Sequence, residues 1–162
     1  MQKLIFSLLI CLPFLLNAQD NYFGAQIETI TTPTTTIIGA GLNWGNENIF
    51  INLTYYSTNC LEVSAQGFIP LDVFYKDKLT VGIIGGFGYG KCFGTRSKHL
   101  ENCFTEARFF FADDFCTWNM APTAQYKLST GLIQLELGAQ FAAVPDYKRF
   151  ELYSRVKYIH KF

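Results

Sequence analysis

Residues 132–141, Leu132-Ile-Gln-Leu-Glu-Leu-Gly-Ala-Gln-Phe141, alternate between two kinds of side chain. The odd-numbered positions from Ile133 to Phe141 are apolar, and the positions between them hold Gln, Glu or Gly. A β-strand places successive residues on opposite faces, whereas a helix would scatter them around its axis. The stretch therefore predicts a strand with one apolar and one polar face.

Similar strand patterns recur along the chain. We predict strands at residues 22–31, 35–44, 48–56, 61–75, 79–90, 118–128, 132–141 and 150–162, separated by turn-forming clusters such as Gly45-Asn-Glu-Asn48 and Ser129-Thr-Gly131. Eight consecutive strands predict an all-β, antiparallel, up-and-down barrel. Alternation alone would also fit a soluble barrel or sandwich with an apolar interior.

The positions of the connections favour a membrane barrel over a soluble one. If residue 22 starts at one rim, the connections at 45–48, 76–78 and 129–131 share that rim, and those at 32–34, 57–60, 91–117 and 143–148 share the other. We call these the short-turn rim and the long-loop rim. Short turns on one side, longer loops on the other and an even strand number are typical of transmembrane barrels. We therefore expect an eight-stranded transmembrane β-barrel with one long outer loop, 91–117.

Aromatic residues occur at two heights of this predicted barrel. One group lies toward the short-turn rim (Trp44, Tyr75, Tyr126, Tyr158 and Phe162) and the other toward the long-loop rim (Tyr55, Tyr89, Trp118, Phe141 and Phe150). Two aromatic belts are expected where a membrane barrel meets the two headgroup layers of a bilayer.

The first 18 residues have the features of a secretory signal peptide. Lys3 precedes an apolar run, and the small residue Ala18 follows it. A retained membrane helix fits less well, because the run is too short to cross about 30 Å of hydrocarbon and Pro13 interrupts it. We predict export, cleavage near Ala18, and an outer-membrane β-barrel domain over residues 19–162.

The C-terminal strand ends in Phe162, with Tyr158 on the same apolar face. In this strand and in its overall pattern, the chain from residue 20 to residue 162 resembles the small eight-stranded outer-membrane barrels of Gram-negative bacteria, the OmpA- and OmpX-like group. The resemblance implies a location in the bacterial outer membrane, contact with its lipid, and recognition of the terminal strand by the barrel-assembly machinery. It identifies no ligand, cofactor or catalytic residue.

The stretch Gly82-Ile-Ile-Gly-Gly-Phe-Gly-Tyr-Gly-Lys-Cys92 looks at first sight like a phosphate-binding loop. Such a loop needs Ser or Thr after its Lys and then a helix, but Cys92 follows Lys91 and no helical pattern comes after it. In a strand, the even-numbered glycines of this stretch face inward instead. An eight-stranded barrel is only wide enough inside for side chains. The glycines are therefore predicted to make room for bulky inward residues (Phe50, Phe68 and Phe74).

Charged residues also fall on inward-facing positions. They are Glu28, Glu62, Asp72, Lys127, Glu136, Glu151, Arg155 and Lys157. A catalytic role for Glu62 or Glu136 is one interpretation, but a lumen filled by paired charges fits better, because buried charges require partners. His99 and His160 have no evident Ser and carboxylate partners for nucleophilic catalysis. We expect no enzymatic activity, no cofactor and no metal site.

Four cysteines remain after removal of Cys11 with the signal peptide: Cys60, Cys92, Cys103 and Cys116. An even number in an exported chain suggests two disulfides. By strand parity, Cys60 and Cys92 continue the inward faces of one hairpin at nearly the same height, whereas Cys116 has the opposite parity. We predict Cys60–Cys92 and Cys103–Cys116; a bulge that shifted the parity would favour Cys92–Cys116 instead.

The long outer loop carries an unusual number of phenylalanines, at Phe93, Phe104, Phe109, Phe110, Phe111 and Phe115. Two interpretations stay open: the rings pack on one another above the membrane, or they form an apolar patch that binds an extracellular protein or glycan. Nucleic acid is not an expected partner, because the 13 basic and 13 acidic residues balance. We predict a monomeric outer-membrane barrel with a side-chain-filled lumen, structural or adhesin-like through its outer loops. A narrow porin-like channel is the main alternative, and a lipid-modifying enzyme ranks third.

Overall fold

The chain folds into a closed barrel of eight antiparallel strands that follow one another in chain order. The computed structural model describes residues 22–31, 36–71, 78–93, 114–144 and 147–161. The strands are β1 (Tyr22–Thr31), β2 (Thr36–Gly45), β3 (Ile49–Tyr56), β4 (Cys60–Pro70), β5 (Leu79–Cys92), β6 (Asp114–Leu128), β7 (Gly131–Val144) and β8 (Tyr147–Lys161). The predicted all-β, up-and-down barrel of eight strands is confirmed. The predicted signal peptide and Phe162 lie outside the described residues.

Several strands extend further toward the long-loop rim than predicted. β6 begins at Asp114 rather than 118 and β8 at Tyr147 rather than 150, while β5 ends at Cys92 rather than 90 and β7 at Val144 rather than 141. The predicted connections 91–117 and 143–148 are therefore too long. Lys91 and Asp114 are exposed yet directly opposed in the ladder. Backbone pairing thus continues beyond the point where the apolar alternation ends. The strand ends are predicted from that alternation, so the predicted strands are too short.

β4 differs in the other direction, because it ends at Pro70 where the predicted strand continues to residue 75. Residues 72–77, which include Asp72 and Phe74, lie outside the described residues. Within the part of the chain that the structure describes, no helix is long and apolar enough to cross a membrane.

The strands are strongly staggered around the barrel. From Tyr22, successive opposed pairs lead through Gly45, Phe50, Gln66, Gly86, Asn119 and Gln140 to Glu151 on β8. Tyr22 itself is opposite Lys161, ten residues further along β8. A shear of this size around eight strands corresponds to a strand tilt of about 40°. The interior of such a barrel is wide enough for side chains and little more.

Side chains alternate between the outer wall and the interior along the strands. In β7, Leu135 and Leu137 are 50% and 67% exposed, whereas Gln134 and Glu136 beside them are buried. The outer wall carries many other exposed apolar side chains, including Ile27, Leu42, Leu53, Ile69, Phe87, Met120 and Leu152. The predicted inward and outward faces are confirmed at these positions.

Inward-facing glycines accommodate large neighbours, as predicted. A Cβ added to Gly82 would lie 2.5 Å from the Phe68 ring, and one added to Gly90 would collide with the Phe115 ring. Phe115 corrects one prediction: it belongs to β6, and its side chain is buried inside the barrel rather than exposed in the outer loop. Its odd number gives it the inward parity of β6, so the strand continues through a residue that the sequence pattern assigns to the loop.

Cys60 and Cys92 form a disulfide, which confirms the first predicted pair. The two residues are directly opposed in the β4–β5 ladder, with their Cα atoms 3.9 Å apart. The second predicted pair is not present, because Cys116 is free and exposed on the outer wall. Its predicted partner, Cys103, lies outside the described residues.

The contact between Gly90 and Phe115 provides a test of the filled interior. Gly90→Ala should lower the free energy of unfolding by about 1–3 kcal/mol, because the added methyl group overpacks the interior against the Phe115 ring. In Gly90→Ala/Phe115→Leu the loss should be smaller than the sum of the two single losses. Gly67→Ala is the matched control, since none of the described residues has an atom within 4 Å of its added Cβ. Urea unfolding in phospholipid vesicles measures all four variants, and equal losses for Gly90→Ala and Gly67→Ala would contradict the packing described.

Candidate functional site inside the barrel

Arg155 lies at the centre of the lumen between two carboxylates. Its Nη2 is 2.8 Å from Glu28 Oε2, and its Nη1 is 3.2 Å from Glu136 Oε2. The register explains the arrangement, because Arg155 on β8 is directly opposite Glu28 on β1 and directly opposite Glu136 on β7. All three side chains are fully buried. Three neighbouring strands thus contribute one row of alternating charge.

Lys157 adds a second cation two residues further along β8, on the same inward face. Its Nζ is 2.9 Å from Glu136 Oε1 and donates a hydrogen bond of 2.6 Å to Gln66 Oε1. The ammonium group also lies 4.8 Å from the centre of the Phe50 ring, a favourable cation–π distance. Glu28, Glu136, Arg155 and Lys157 therefore form a buried set of two anions and two cations.

Neutral polar groups complete the hydrogen bonding of Glu136. Gln134 Nε2 donates to its Oε1 at 2.6 Å, and Tyr153 donates its hydroxyl proton to Oε2 at 3.3 Å. Desolvating a charge is expensive unless ion pairing and additional hydrogen bonds compensate. Glu136 has both kinds of partner, so its buried charge is compensated.

Glu62 lies nearer to the long-loop rim and connects to the centre through a tyrosine. Thr117 donates to Glu62 Oε1 and Tyr56 to Glu62 Oε2, each at 3.0 Å. The same Tyr56 hydroxyl is 3.4 Å from Glu28 Oε2. Gly88 provides the space, since a Cβ there would collide with Glu62 Oε1.

A pair of glutamines continues the network toward the short-turn rim. Gln125 Nε2 donates to Gln134 Oε1 at 2.9 Å and to the backbone carbonyl of Glu47 at 3.2 Å. Glu47 lies in the turn between β2 and β3, and its carboxylate accepts from Lys127 Nζ at 2.8 Å and from Tyr22 at 3.0 Å. Partial burial alone would raise the pKa of Glu47, but the hydrogen bonds from Lys127 and Tyr22 and the charges of Lys127 and Lys161 outweigh it and lower that pKa.

The structure brings five of the predicted lumen charges into this network: Glu28, Glu62, Glu136, Arg155 and Lys157. Glu151 is also buried, and Gln140 Nε2 donates to its Oε2 at 3.3 Å. Lys127 instead lies at the short-turn rim, where it pairs with Glu47. Asp72 and four of the candidate binding residues, Phe104, Phe109, Phe110 and Phe111, lie outside the described residues. Tyr158, part of the candidate assembly signal, is exposed on the outer wall.

Sequence reasoning missed the neutral members of the network and Glu47. Tyr56, Gln66 and Gln134 have inward parity on predicted strands, so their orientation could be found. Alternation does not reveal which side chains they meet, and the partner of Gln66, Lys157, is 91 residues away in the chain. The Asn-Glu-Asn sequence around Glu47 indicates only a turn. Its interior role depends on how the turn bends over the barrel, which no local pattern reveals.

The network fills the barrel. Arg155, Tyr56, Phe50 and Lys157 are among the largest fully buried side chains of the described residues. Each of the two central cations contacts a carboxylate. Chemically, this arrangement links side chains of β1, β3, β4, β6, β7 and β8 inside the barrel and places fixed charge across the middle of the lumen.

Comparisons with known proteins find similarity in structure alone, since neither a family model nor a curated protein matches the chain. The fold is similar to the N-terminal β-barrel domain of OprF from Pseudomonas aeruginosa, with 8% sequence identity, a TM-score of 0.49, and coverage of 86% of this chain and 96% of that domain. It is also similar to a de novo designed transmembrane β-barrel, with 12% identity, a TM-score of 0.46, and coverage of 88% of this chain and 95% of the design. These similarities concern the overall architecture only.

Removal of the central cation should be strongly destabilising. Arg155→Met leaves Glu28 buried without its ion-pair partner, so we expect a loss of about 3–5 kcal/mol in the free energy of unfolding. Adding Glu28→Gln should recover part of this loss, because it removes the unpaired charge. Lys91→Met, which removes an exposed cation at the long-loop rim, should change stability by less than about 0.5 kcal/mol. Urea unfolding of the unmodified protein and the three variants measures these changes. If Arg155→Met lowers the free energy of unfolding no more than Lys91→Met does, the network does not stabilise the barrel.

Proposed function

We propose that this chain is a small integral outer-membrane β-barrel protein without enzymatic activity. In this proposal the barrel is a filled anchor in the bilayer, and its outer loops provide a structural or binding surface on the outside of the cell. Outer-membrane lipid surrounds the barrel, the barrel-assembly machinery inserts it, and it works as a monomer. A protein or glycan outside the cell is the proposed partner of the loops.

The observation that supports a membrane location is the reversed distribution of polarity. A soluble barrel encloses mainly apolar side chains, whereas this one encloses an ionic network beside apolar residues such as Phe50 and Ile84, and exposes Ile, Leu, Phe and Met on its outer wall. A closed barrel also leaves no strand edge without hydrogen bonds, which is required in hydrocarbon. Water would have to cover a large apolar surface if this protein were soluble, and lipid covers such a surface without that penalty.

Exposed aromatic rings are consistent with two headgroup layers. Trp118, Phe141 and Phe150 form a row on β6, β7 and β8 toward the long-loop rim, with ring centres 5.9 and 5.4 Å apart. Phe23, Tyr126 and Tyr158 are exposed toward the short-turn rim. Aromatic rings concentrate at both interfaces of membrane barrels.

The base of the long outer loop is fixed to the barrel, which supports a role for that loop. The Cys60–Cys92 disulfide joins β4 to the end of β5. Asn59, which has a positive φ of 64°, donates from its side chain to the carbonyl of Phe93, and its own backbone carbonyl accepts from the Phe93 N–H at 2.9 Å. The chain therefore leaves the barrel for the outer loop from a defined position, as is common for loops that carry function on a rigid scaffold.

The membrane location predicts a depth-dependent effect of arginine on the outer wall. Leu137→Arg, in the middle of β7, should cost about 2–4 kcal/mol in a bilayer, because it places a cation in hydrocarbon. Leu128→Arg, at the short-turn end of β6, should cost less than about 1 kcal/mol. Urea unfolding in phosphatidylcholine vesicles compares the two variants. Equal and small effects would contradict a membrane-embedded wall.

The proposed orientation predicts where a protease reaches the chain in whole cells. Trypsin added to intact cells should cleave after Arg96, Lys98 or Arg108 in the long outer loop. Lys78, at the short-turn rim, should become accessible only after the outer membrane is permeabilised. Cleavage in the reverse order would show the opposite orientation, and recovery of the protein in the soluble periplasmic fraction would refute the membrane location.

A narrow channel is the second candidate function, and the polar lining of the lumen is the observation that favours it. The filled-anchor proposal predicts no stable conductance in planar lipid bilayers, because the network from Glu62 to Lys157 crosses the lumen. Arg155→Ala, which truncates the central side chain, is the matched variant that should introduce ion flow if it folds. A stable open pore in the unmodified protein would support the channel instead. An assay on lipid A tests the proposed absence of lipid-modifying activity.

A further inference from the structure

The turn between β2 and β3 bends across the short-turn mouth of the barrel. We call residues 46–48 the mouth turn. The backbone carbonyl of Glu47 accepts from Gln125, and its carboxylate accepts from Lys127, both on β6. In a ring of eight strands β2 lies opposite β6, so these contacts span the full width of the mouth. The carboxylate also accepts from Tyr22 on β1.

The mouth turn has a fixed shape of its own. Asn46 Oδ1 accepts from the backbone N–H groups of Asn48 and Ile49, both at 2.8 Å, and Asn46 N–H donates to the carbonyl of Ile49 at 2.8 Å. The N–H of Phe68 on β4 donates to the carbonyl of Asn48 at 2.7 Å. The turn is therefore rigid where it joins the barrel wall, and Glu47 connects it to the far side.

The contacts that hold Glu47 are much weaker than the central network. The side chains of Lys127 and Glu47 are 35% and 39% exposed, whereas those of Arg155, Glu28 and Glu136 are fully buried. Exposed ion pairs contribute little and are screened by salt. The mouth turn can therefore be released while the centre of the barrel stays intact.

We propose that the mouth turn is a releasable lid over the short-turn mouth, and that the contacts of Glu47 hold it closed. In the closed state the mouth turn shields the part of the lumen next to the short-turn rim, where Gln125 and Thr80 are buried. Loss of the contacts of Glu47 with Lys127, Tyr22 and Gln125 separates the tip of the turn from the far side of the mouth, while its base stays bonded to β4. Water and small polar solutes then enter as far as the central network. The barrel is then permanently blocked in its middle and reversibly closed at one end.

Thr80 is a suitable reporter of lid opening. It is only 5% exposed, faces inward on β5 and is directly opposite Gln125, and Thr80→Cys is nearly isosteric. Cys103→Ser and Cys116→Ser remove the other thiols of the mature chain, since Cys60 and Cys92 are joined in a disulfide. The measurement is the rate at which the thiol introduced by Thr80→Cys reacts with a small, charged maleimide in detergent micelles. It does not depend on the membrane location proposed above.

Glu47→Gln should raise the labelling rate about threefold to tenfold, because it removes an exposed ion pair and weakens one hydrogen bond. Lys127→Met should act in the same direction. Asp114→Asn is the matched control, since it removes a carboxylate at the opposite rim and should leave the rate unchanged. Sodium chloride at about 1 M should raise the rate in the parent protein but not in Glu47→Gln, because salt screens the ion pair that the variant lacks.

Two results would overturn the proposal. One is an unchanged rate in folded Glu47→Gln, with folding checked by heat-modifiable gel mobility. The other is rapid labelling of the parent protein at low salt, which would show that the turn shields nothing. If Glu47→Gln does not fold, the salt dependence of the parent protein decides, because a rate independent of salt contradicts a lid held by Glu47 and Lys127.

Discussion

The ion pair between Arg155 and Glu28 joins the last strand to the first across 127 residues of sequence, at the ladder that closes the barrel. Both groups are fully buried, so neither is tolerable without the other. The pair also fixes the register of β8 against β1. A slip of one residue would turn Arg155 to the outer wall and leave Glu28 and Glu136 without their cation. The contact between Arg155 and Glu28 thus requires this register of β8 against β1 and this choice of inner face.

The sequence alone predicts the features that depend on the two-residue period of a β-strand. The alternation at 132–141 and its counterparts predict the strand number, the two faces and the inward orientation of Arg155 and Lys157, since each strand sorts its own residues. The Cys60–Cys92 disulfide follows from parity within one hairpin. Features that depend on contacts across the barrel do not follow. Glu47 meets Lys127 and Gln125 only after the mouth turn crosses the lumen. The sequence places Phe115 in a loop because the outward residues around it, such as Asp114, do not show the apolar pattern of a strand.

The interior is filled by matching small residues with large ones across neighbouring strands. Gly90 faces the Phe115 ring, Gly88 faces Glu62, and Gly39 faces the Tyr56 ring. Eight strands fix the diameter, so every large inward side chain requires space on another strand. The same constraint explains why a motif that resembles a phosphate loop in the sequence is a strand in the structure. Its glycines serve as gaps into which aromatic and charged side chains fit, and the outer wall keeps its apolar character beside them.

The opposition of Tyr22 and Lys161 at the short-turn rim bears on the order of the strands along the chain. The first and last strands are hydrogen-bonded neighbours, so the barrel is a continuous ring of hairpins from which one connection is missing. A short turn between these two ends would complete the ring, and the chain could then be opened at another connection without changing any of the eight registers. Circular permutation thus exchanges which strand is first and which is last, while Arg155 and Glu28 become partners within a single hairpin. The architecture specifies the neighbours of each strand, and the position of the chain ends is a separate choice.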